Sequence, residues 1–354
     1  MIPPNAVMPA LRGAKFGGIS ALAWDRVHNE VLGLSDDTEN SRVFRMSYLE
    51  EPFRIVPTGV VLLGKGDGAP AKLDPEGLAL LPSGNMLVSS EGFGSEEPRV
   101  PPGIFEYRRD GRYVRQLPVP AEFLPTPRGP LTHGVPNNQA FESLALTPDA
   151  RRLWTGTETS LVQDGPVPTM ERGARARLLE YRLENGTFMP NREFLYPLDP
   201  LPSVSFTQVG FSVNGLVDLL ALSDRELVAL ERAYVQNTDN PVNDVYRLRM
   251  FRVTIDGTPI APGQDSLAGL SNVAPVTKTL LLDLGSARNL PRALAGLDNF
   301  EGIAPVPTRR PRRYEQVPSL QKSPATAILV SDDNFDASQR TWFVKIAFDP
   351  ALVP

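Results

Sequence analysis

Apolar residues along this chain fall in short runs bounded by proline, glycine and small polar residues, as in Val31-Leu32-Gly33-Leu34, Met86-Leu87-Val88 and Leu227-Val228-Ala229-Leu230. Runs of this length, punctuated this often, read as strands joined by turns. Long stretches with apolar residues three or four apart, the mark of an amphipathic helix, are hard to find. The 36 prolines and 28 glycines are scattered from end to end, which keeps each element short. The pattern predicts an all-β protein.

The runs also repeat. Pro75-Glu76-Gly77-Leu78-Ala79-Leu80, a turn, and Met86-Leu87-Val88-Ser89-Ser90-Glu91 form the clearest copy. Phe141-Glu142-Ser143-Leu144-Ala145-Leu146 leads to Leu153-Trp154-Thr155-Gly156-Thr157-Glu158, and Val217-Asp218-Leu219-Leu220-Ala221-Leu222 leads to Leu227-Val228-Ala229-Leu230-Glu231. A first copy runs from Ile19-Ser20-Ala21-Leu22 to Asp36-Asp37, and a last from Phe300-Glu301-Gly302-Ile303 to Ser331-Asp332-Asp333-Asn334. Further alternating runs follow each hairpin, joined by Asp110-Gly111, Asn185-Gly186 and Asp256-Gly257, which are strong hairpin signals. Four-stranded units repeated around an axis make a β-propeller. The reading is five four-stranded blades, with six open if one copy has diverged beyond recognition and a two-sheet sandwich as the alternative.

Residues 17–349 then form one propeller domain and 350–354 a tail. The last copy ends after a single further strand, Trp342-Phe343-Val344-Lys345-Ile346, so residues 1–16 are expected to supply its missing outer strand. The basic, proline-rich stretch Arg309-Arg310-Pro311-Arg312-Arg313 reads as a surface loop.

An acid stands at the start of the first strand in four copies, at Glu76, Glu142, Asp218 and Glu301, with Ser20 in the remaining one. The second strand ends on acids in every copy: Asp36 with Asp37, Glu91, Glu158, Glu231, and Asp332 with Asp333. Antiparallel pairing puts the start of one strand and the end of its partner at the same end of the sheet. Both acidic sets should therefore gather at one mouth, where they repel one another unless cations neutralise them. Oxygen ligands without histidine or cysteine favour Ca2+, with Mg2+ as the alternative. Glu76, Glu142, Asp218, Glu301, Asp36, Glu231 and Asp332 are the expected ligands, and Asn138, Asn214, Asn299 and Asn334 stand beside them. The plainer reading is that each acid only bonds a neighbouring loop. Lys72, Arg128, Arg232 and Arg340 read first as surface charges, with contact to an anionic substrate as the alternative, and Glu231-Arg232 also reads as an internal ion pair.

Composition narrows the chemistry. The chain has no cysteine, which removes thiolate catalysis, zinc–thiolate sites and disulfides. A net charge of -5 without a basic stripe argues against nucleic acid as a partner, and no apolar run is long enough to span a membrane. His28 reads as a turn residue. His133 lies in a loop beside the third copy and is kept as a catalytic candidate with Glu91 and Glu158.

The ordered set of motifs resembles the phytase-like, "esterase-like activity of phytase" family of bacterial propellers, over about Gly17 to Phe348. The closing Ser331-Asp332-Asp333-Asn334-Phe335 is its most distinctive piece. The resemblance implies a small-molecule ester or phosphoester substrate and an exported protein, secreted or periplasmic, whose leader has been removed. The expectation is a metal-dependent hydrolase with Glu91 or Glu158 as general base. The rival is a non-catalytic propeller that binds a ligand or protein and holds structural cations.

Overall fold

A computed structural model describes residues 6–7, 11, 13–64, 66–70, 72–287, 290, 292–294, 297–306 and 326–347. Five antiparallel sheets succeed one another along the chain. The first comprises Ile19–Asp25, Glu30–Ser35, Arg42–Glu50 and Phe53–Leu62. The second comprises Pro75–Leu80, Met86–Ser90, Gly103–Tyr107 and Tyr113–Gln116. The third comprises Ala145–Leu146, Arg152–Ser160, Ala174–Glu184 and Thr187–Leu198. The fourth comprises Val209–Ala221, Glu226–Asn237, Val245–Thr254 and Thr277–Asp283. The fifth shows three described strands, Phe300–Val306, Thr326–Ser331 and Phe343–Ala347.

In each sheet strands pair in chain order, and the innermost strands pack on one another from the first sheet round to the fifth and back. One apolar cluster fills each interface between neighbouring sheets. Leu34, Val43, Leu78 and Val88 join the first to the second, and Phe16, Ile19, Phe44, Ile328 and Val330 join the first to the fifth. Five interfaces for five sheets close the ring: this is a five-bladed β-propeller. Burial between blades stabilises it, and truncating any one of these leucines or phenylalanines to alanine costs about 3 kcal/mol.

The turns behave as their chemistry requires, with one exception. Asn185 and Gly186 both take positive φ, 49° and 81°, which is the two-residue turn that matches strand twist. Asp256-Gly257 does not close a hairpin. Its strand pairs with Thr277–Asp283 across a long excursion, and Asp256 binds the far end by accepting from the Thr277 amide at 2.8 Å and hydroxyl at 2.7 Å.

At the ring's closure, the described residues Ala6 and Val7 pair with Phe16 and Lys15 in a small ribbon, and residues 1–5, 8–10 and 12, on which the expected outer strand also falls, lie outside the described residues. The first and fifth blades are further joined through the buried Leu11 and Phe16, and through the Gly18 amide, which donates to Asp333 Oδ1 at 2.8 Å. Gly18 holds φ +60°, and a Cβ there would fall 2.1 Å from Asp36 Oδ1. The basic stretch at 309–313 lies outside the described residues.

Candidate functional site

The site is built from one irregularity repeated in every blade. The pairing of the first strand with the second slips by one residue at its start: between Ile19 and Ala21, Pro75 and Leu78, Phe141 and Ala145, Leu216 and Asp218, and Phe300 and Gly302. The extra residue makes a β-bulge, which turns a side chain away from the sheet's alternation. Counting from the pairs before the slip, Ser20, Glu76, Glu142, Val217 and Glu301 occupy equivalent places. On the second strand the equivalent residues are Asp36, Glu91, Glu158, Arg232 and Asp332. The fourth blade is therefore out of step with the sequence repeat: its acids, Asp218 and Glu231, each stand one residue away from the ring positions.

These places converge on one mouth. A cavity of about 360 Å³ is lined by Asp36, Asp74, Glu76, Glu142, Glu158, Glu301 and Asp332, with Asn138, Gln139, Asn299, Asn334 and Gln339 among them. Arg232 is the one basic residue among the described residues lining it. It donates to Glu301 at 2.8 Å, stands 3.7 Å from Glu158, and keeps a buried Nε with no hydrogen-bond partner. Expected as a surface charge, Arg232 is instead an internal counter-ion. Carboxylate oxygens of Glu91, Glu142 and Glu158 lie within 4.8 Å of one another, so Glu91 joins two of the lining acids. Gly215 makes room for Glu158, because a Cβ there would sit 2.2 Å from that side chain's Cγ.

Charge crowding follows from this packing. Burial holds Glu76, Glu91, Glu142 and Asp332 well above the usual carboxylate range, and the neighbouring acids push the same way. Burial and Glu301 carry Asp36 up to about 8. Glu158 is raised by burial but restrained by Arg232, and reaches about 7. Asp74, which the repeat pattern overlooked, is raised by burial to about 6. Asp36 Oδ1 and Glu91 Oε2 are buried and accept no hydrogen bond. Clustered oxygen donors, orphaned acceptors and one cation among seven acids fit a hard divalent ion.

Three expected residues stand elsewhere. Asp218 accepts from the Leu219 amide at 2.8 Å and the Ile303 amide at 2.7 Å, tying the fourth blade to the fifth. Glu231 accepts from Lys278 at 2.6 Å, Tyr196 at 2.8 Å and Asn214 at 3.2 Å, so its charge is already compensated between blades. Neighbouring strand residues face opposite ways, which is why Arg232 enters the mouth and Glu231 does not. His133 sits on a separate loop, where Nδ1 meets the Leu124 carbonyl at 2.9 Å and Nε2 meets Asp265 at 2.5 Å.

A second acidic group, Asp25, His28 and Glu30, is no match for the first. Arg109 bonds both carboxylates and Arg45 reaches Glu30 at 3.0 Å, so the charges cancel. It borders the opposite mouth, a cavity of about 550 Å³ lined mainly by Leu78, Leu80, Leu144, Leu146, Leu220 and Ile303.

A sequence model for the family described as "Phytase-like: Esterase-like activity of phytase" matches residues 14–335. An uncharacterized secreted protein from Arthroderma benhamiae is 26% identical over 157 residues, which cover 38% of this chain and 29% of that protein. The chain thus spans under a third of that curated relative. Among solved structures, an endo-arabinase from Bacteroides thetaiotaomicron is similar with a TM-score of 0.45 and 12% identity, covering 94% of this chain and 95% of that one. A luciferin-regenerating enzyme gives 0.39 and 10% over 95% and 93%. No helix among the described residues is long and apolar enough to cross a membrane.

Proposed function

The chain belongs to the phytase-like family, "esterase-like activity of phytase", and from that premise we propose that its acidic mouth binds a divalent cation and hydrolyses an ester or phosphoester there. The observation that carries the reading is the lining itself: among the described residues, seven carboxylates and a single arginine stand around one cavity. Calcium is the first choice of ion and magnesium the second, because every available ligand is a hard oxygen. Glu76, Glu142, Glu301, Asp36 and Asp332 are the residues that would hold it. Bound there, the ion would supply Lewis acidity toward the ester oxygen or a water.

The remaining work falls to the chain's own side chains. Glu158 lines the cavity beside Arg232 and is placed to take a proton from an attacking water. Glu91 accepts from the Ala140 amide and shares a carboxylate cluster with Glu142 and Glu158. Arg232 offers a fixed positive charge to oxygens that become negative as the ester is attacked. Asn138, Gln139, Asn334 and Gln339 orient polar groups of the substrate at the rim. The curated relative is called secreted, which supports export for this chain as well.

Turnover of carboxylic and phosphate esters should be assayed with calcium, with magnesium and with chelator, in the native protein and in Glu158→Gln. Calcium-dependent hydrolysis lost in the variant is the expected result. Calcium binding without turnover of any ester would replace the hydrolase by a propeller that holds ions and binds a partner.

A further inference from the structure

Three rings stand over the acidic cavity with no part in the hydrolytic chemistry. The first two strands of the fourth blade are 13 and 12 residues long, against seven and six in the first blade. The excess lies before the bulge on the first strand and after Arg232 on the second, so both strands run on past the mouth as a wall on one side of it. On this wall Phe211 packs on Tyr234 with centroids 6.3 Å apart, and Tyr234 packs on Tyr246 at 4.8 Å. All three line the acidic cavity. Tyr234 lies two residues beyond Arg232 and so shares its face, which sets the guanidinium at the foot of the stack.

Both tyrosine hydroxyls have a partner, the second a long one. Tyr234 donates to Asp244 at 2.6 Å, and the Tyr246 hydroxyl accepts from Gln339 at 3.4 Å. What remains facing the cavity is ring surface, and Phe211, which has no polar end, is 64% exposed. A large exposed aromatic beside a charged cavity is a poor way to meet water and a good way to meet another ring. A polyol would find few free hydrogen-bonding groups on this wall, whereas a flat apolar group would find two tilted faces.

We propose that Phe211, Tyr234 and Tyr246 form a subsite for an aryl group, so that the ester or phosphoester taken at the mouth carries an aromatic ring. This rests on the reading of the mouth as a cation-dependent ester site and adds the class of substrate. The ring packs against Phe211 and Tyr234 while the ester end reaches Arg232 and the carboxylates below.

The test compares phenylphosphonate with methylphosphonate by calorimetry, in saturating calcium, for the native protein, Phe211→Ala and Tyr234→Leu. Neither probe is hydrolysed, so binding is read apart from turnover. Phe211 is exposed, and its replacement leaves the core untouched. A preference for the phenyl probe of roughly tenfold is expected, falling to near one in both variants. Equal affinities in the native protein, or a preference that survives both substitutions, would overturn the aryl subsite and leave the mouth as an anion-taking site. Failure of both probes to bind would remove that site, and the subsite with it.

Discussion

Arg232 occupies in the fourth blade the place that Glu158 holds in the third, and its guanidinium lies 3.7 Å from that carboxylate while bonding Glu301 at 2.8 Å. One position in the ring is thus inverted in charge, and the inverted residue clamps its neighbours on both sides. A buried charge left without its partner is strongly destabilising, so the clamp and the acids stand or fall together.

Arg232→Met keeps the side-chain bulk and removes the charge. In chelator it should destabilise the fold by about 3 kcal/mol, read from denaturant unfolding. Added calcium should restore more stability to this variant than to the native protein, because the ion meets a larger uncompensated charge.

Glu142→Gln and Glu231→Gln separate the two kinds of acid. Glu142→Gln relieves crowding, so it should leave metal-free stability equal or higher while weakening calcium binding by roughly tenfold or more. Glu231→Gln removes the partner of Lys278 and should destabilise by about 2 kcal/mol without changing calcium affinity. Calorimetric titration beside thermal unfolding distinguishes them.

Without metal, stability should fall as pH rises. Glu158 and Asp36 have folded-state values of about 7 and about 8, above their ordinary 4.5 and 3.8. The native state therefore holds protons that the unfolded chain has released. Their contribution is fully present below pH 4 or so and is lost as pH climbs through 7 and 8. Melting temperature in chelator should drop by roughly 5 °C or more between pH 5 and pH 8.5. Calcium should flatten that slope, since it favours the ionised acids.

Gly215→Ala would place a methyl group 2.2 Å from Glu158 Cγ. Glu158 must then leave its place beside Arg232. Hydrolytic activity should fall by at least about tenfold while calcium binding through Glu76 and Glu301 persists, measured by steady-state kinetics and titration.

The blades were legible because each copy carries the same alternation and turn chemistry, from Ile19 to Asp333, and because acids recur at strand ends. Antiparallel pairing brings Asp36, Glu76, Glu142, Glu158, Glu301 and Asp332 to one end of the sheets, and the bulge of each blade decides which side chains enter the mouth. The fourth blade was misread because aligning Asp218 with Glu76 and Glu142 ignores the bulge, which sits one residue earlier, at Val217. A one-residue shift reverses the face of every side chain, so Asp218 and Glu231 turn to structural bonds and Arg232 turns inward. Counting five residues from Met86 to Glu91, Leu153 to Glu158 and Leu227 to Arg232 is the signal that finds it. Asp74 and the aromatic wall left no repeat signature, because each occurs in a single blade. His133 was isolated from the mouth by loop geometry that no local pattern encodes.

The most direct measurement is thermal unfolding of chelator-stripped protein with and without calcium, run beside Glu142→Gln. Preferential binding to the native state predicts a melting temperature that rises with calcium concentration in the native protein and rises much less in the variant. An unchanged melting temperature in the native protein would contradict the cation site, and the acids of the mouth would then be strand-end scaffolding that neutralises itself by holding protons.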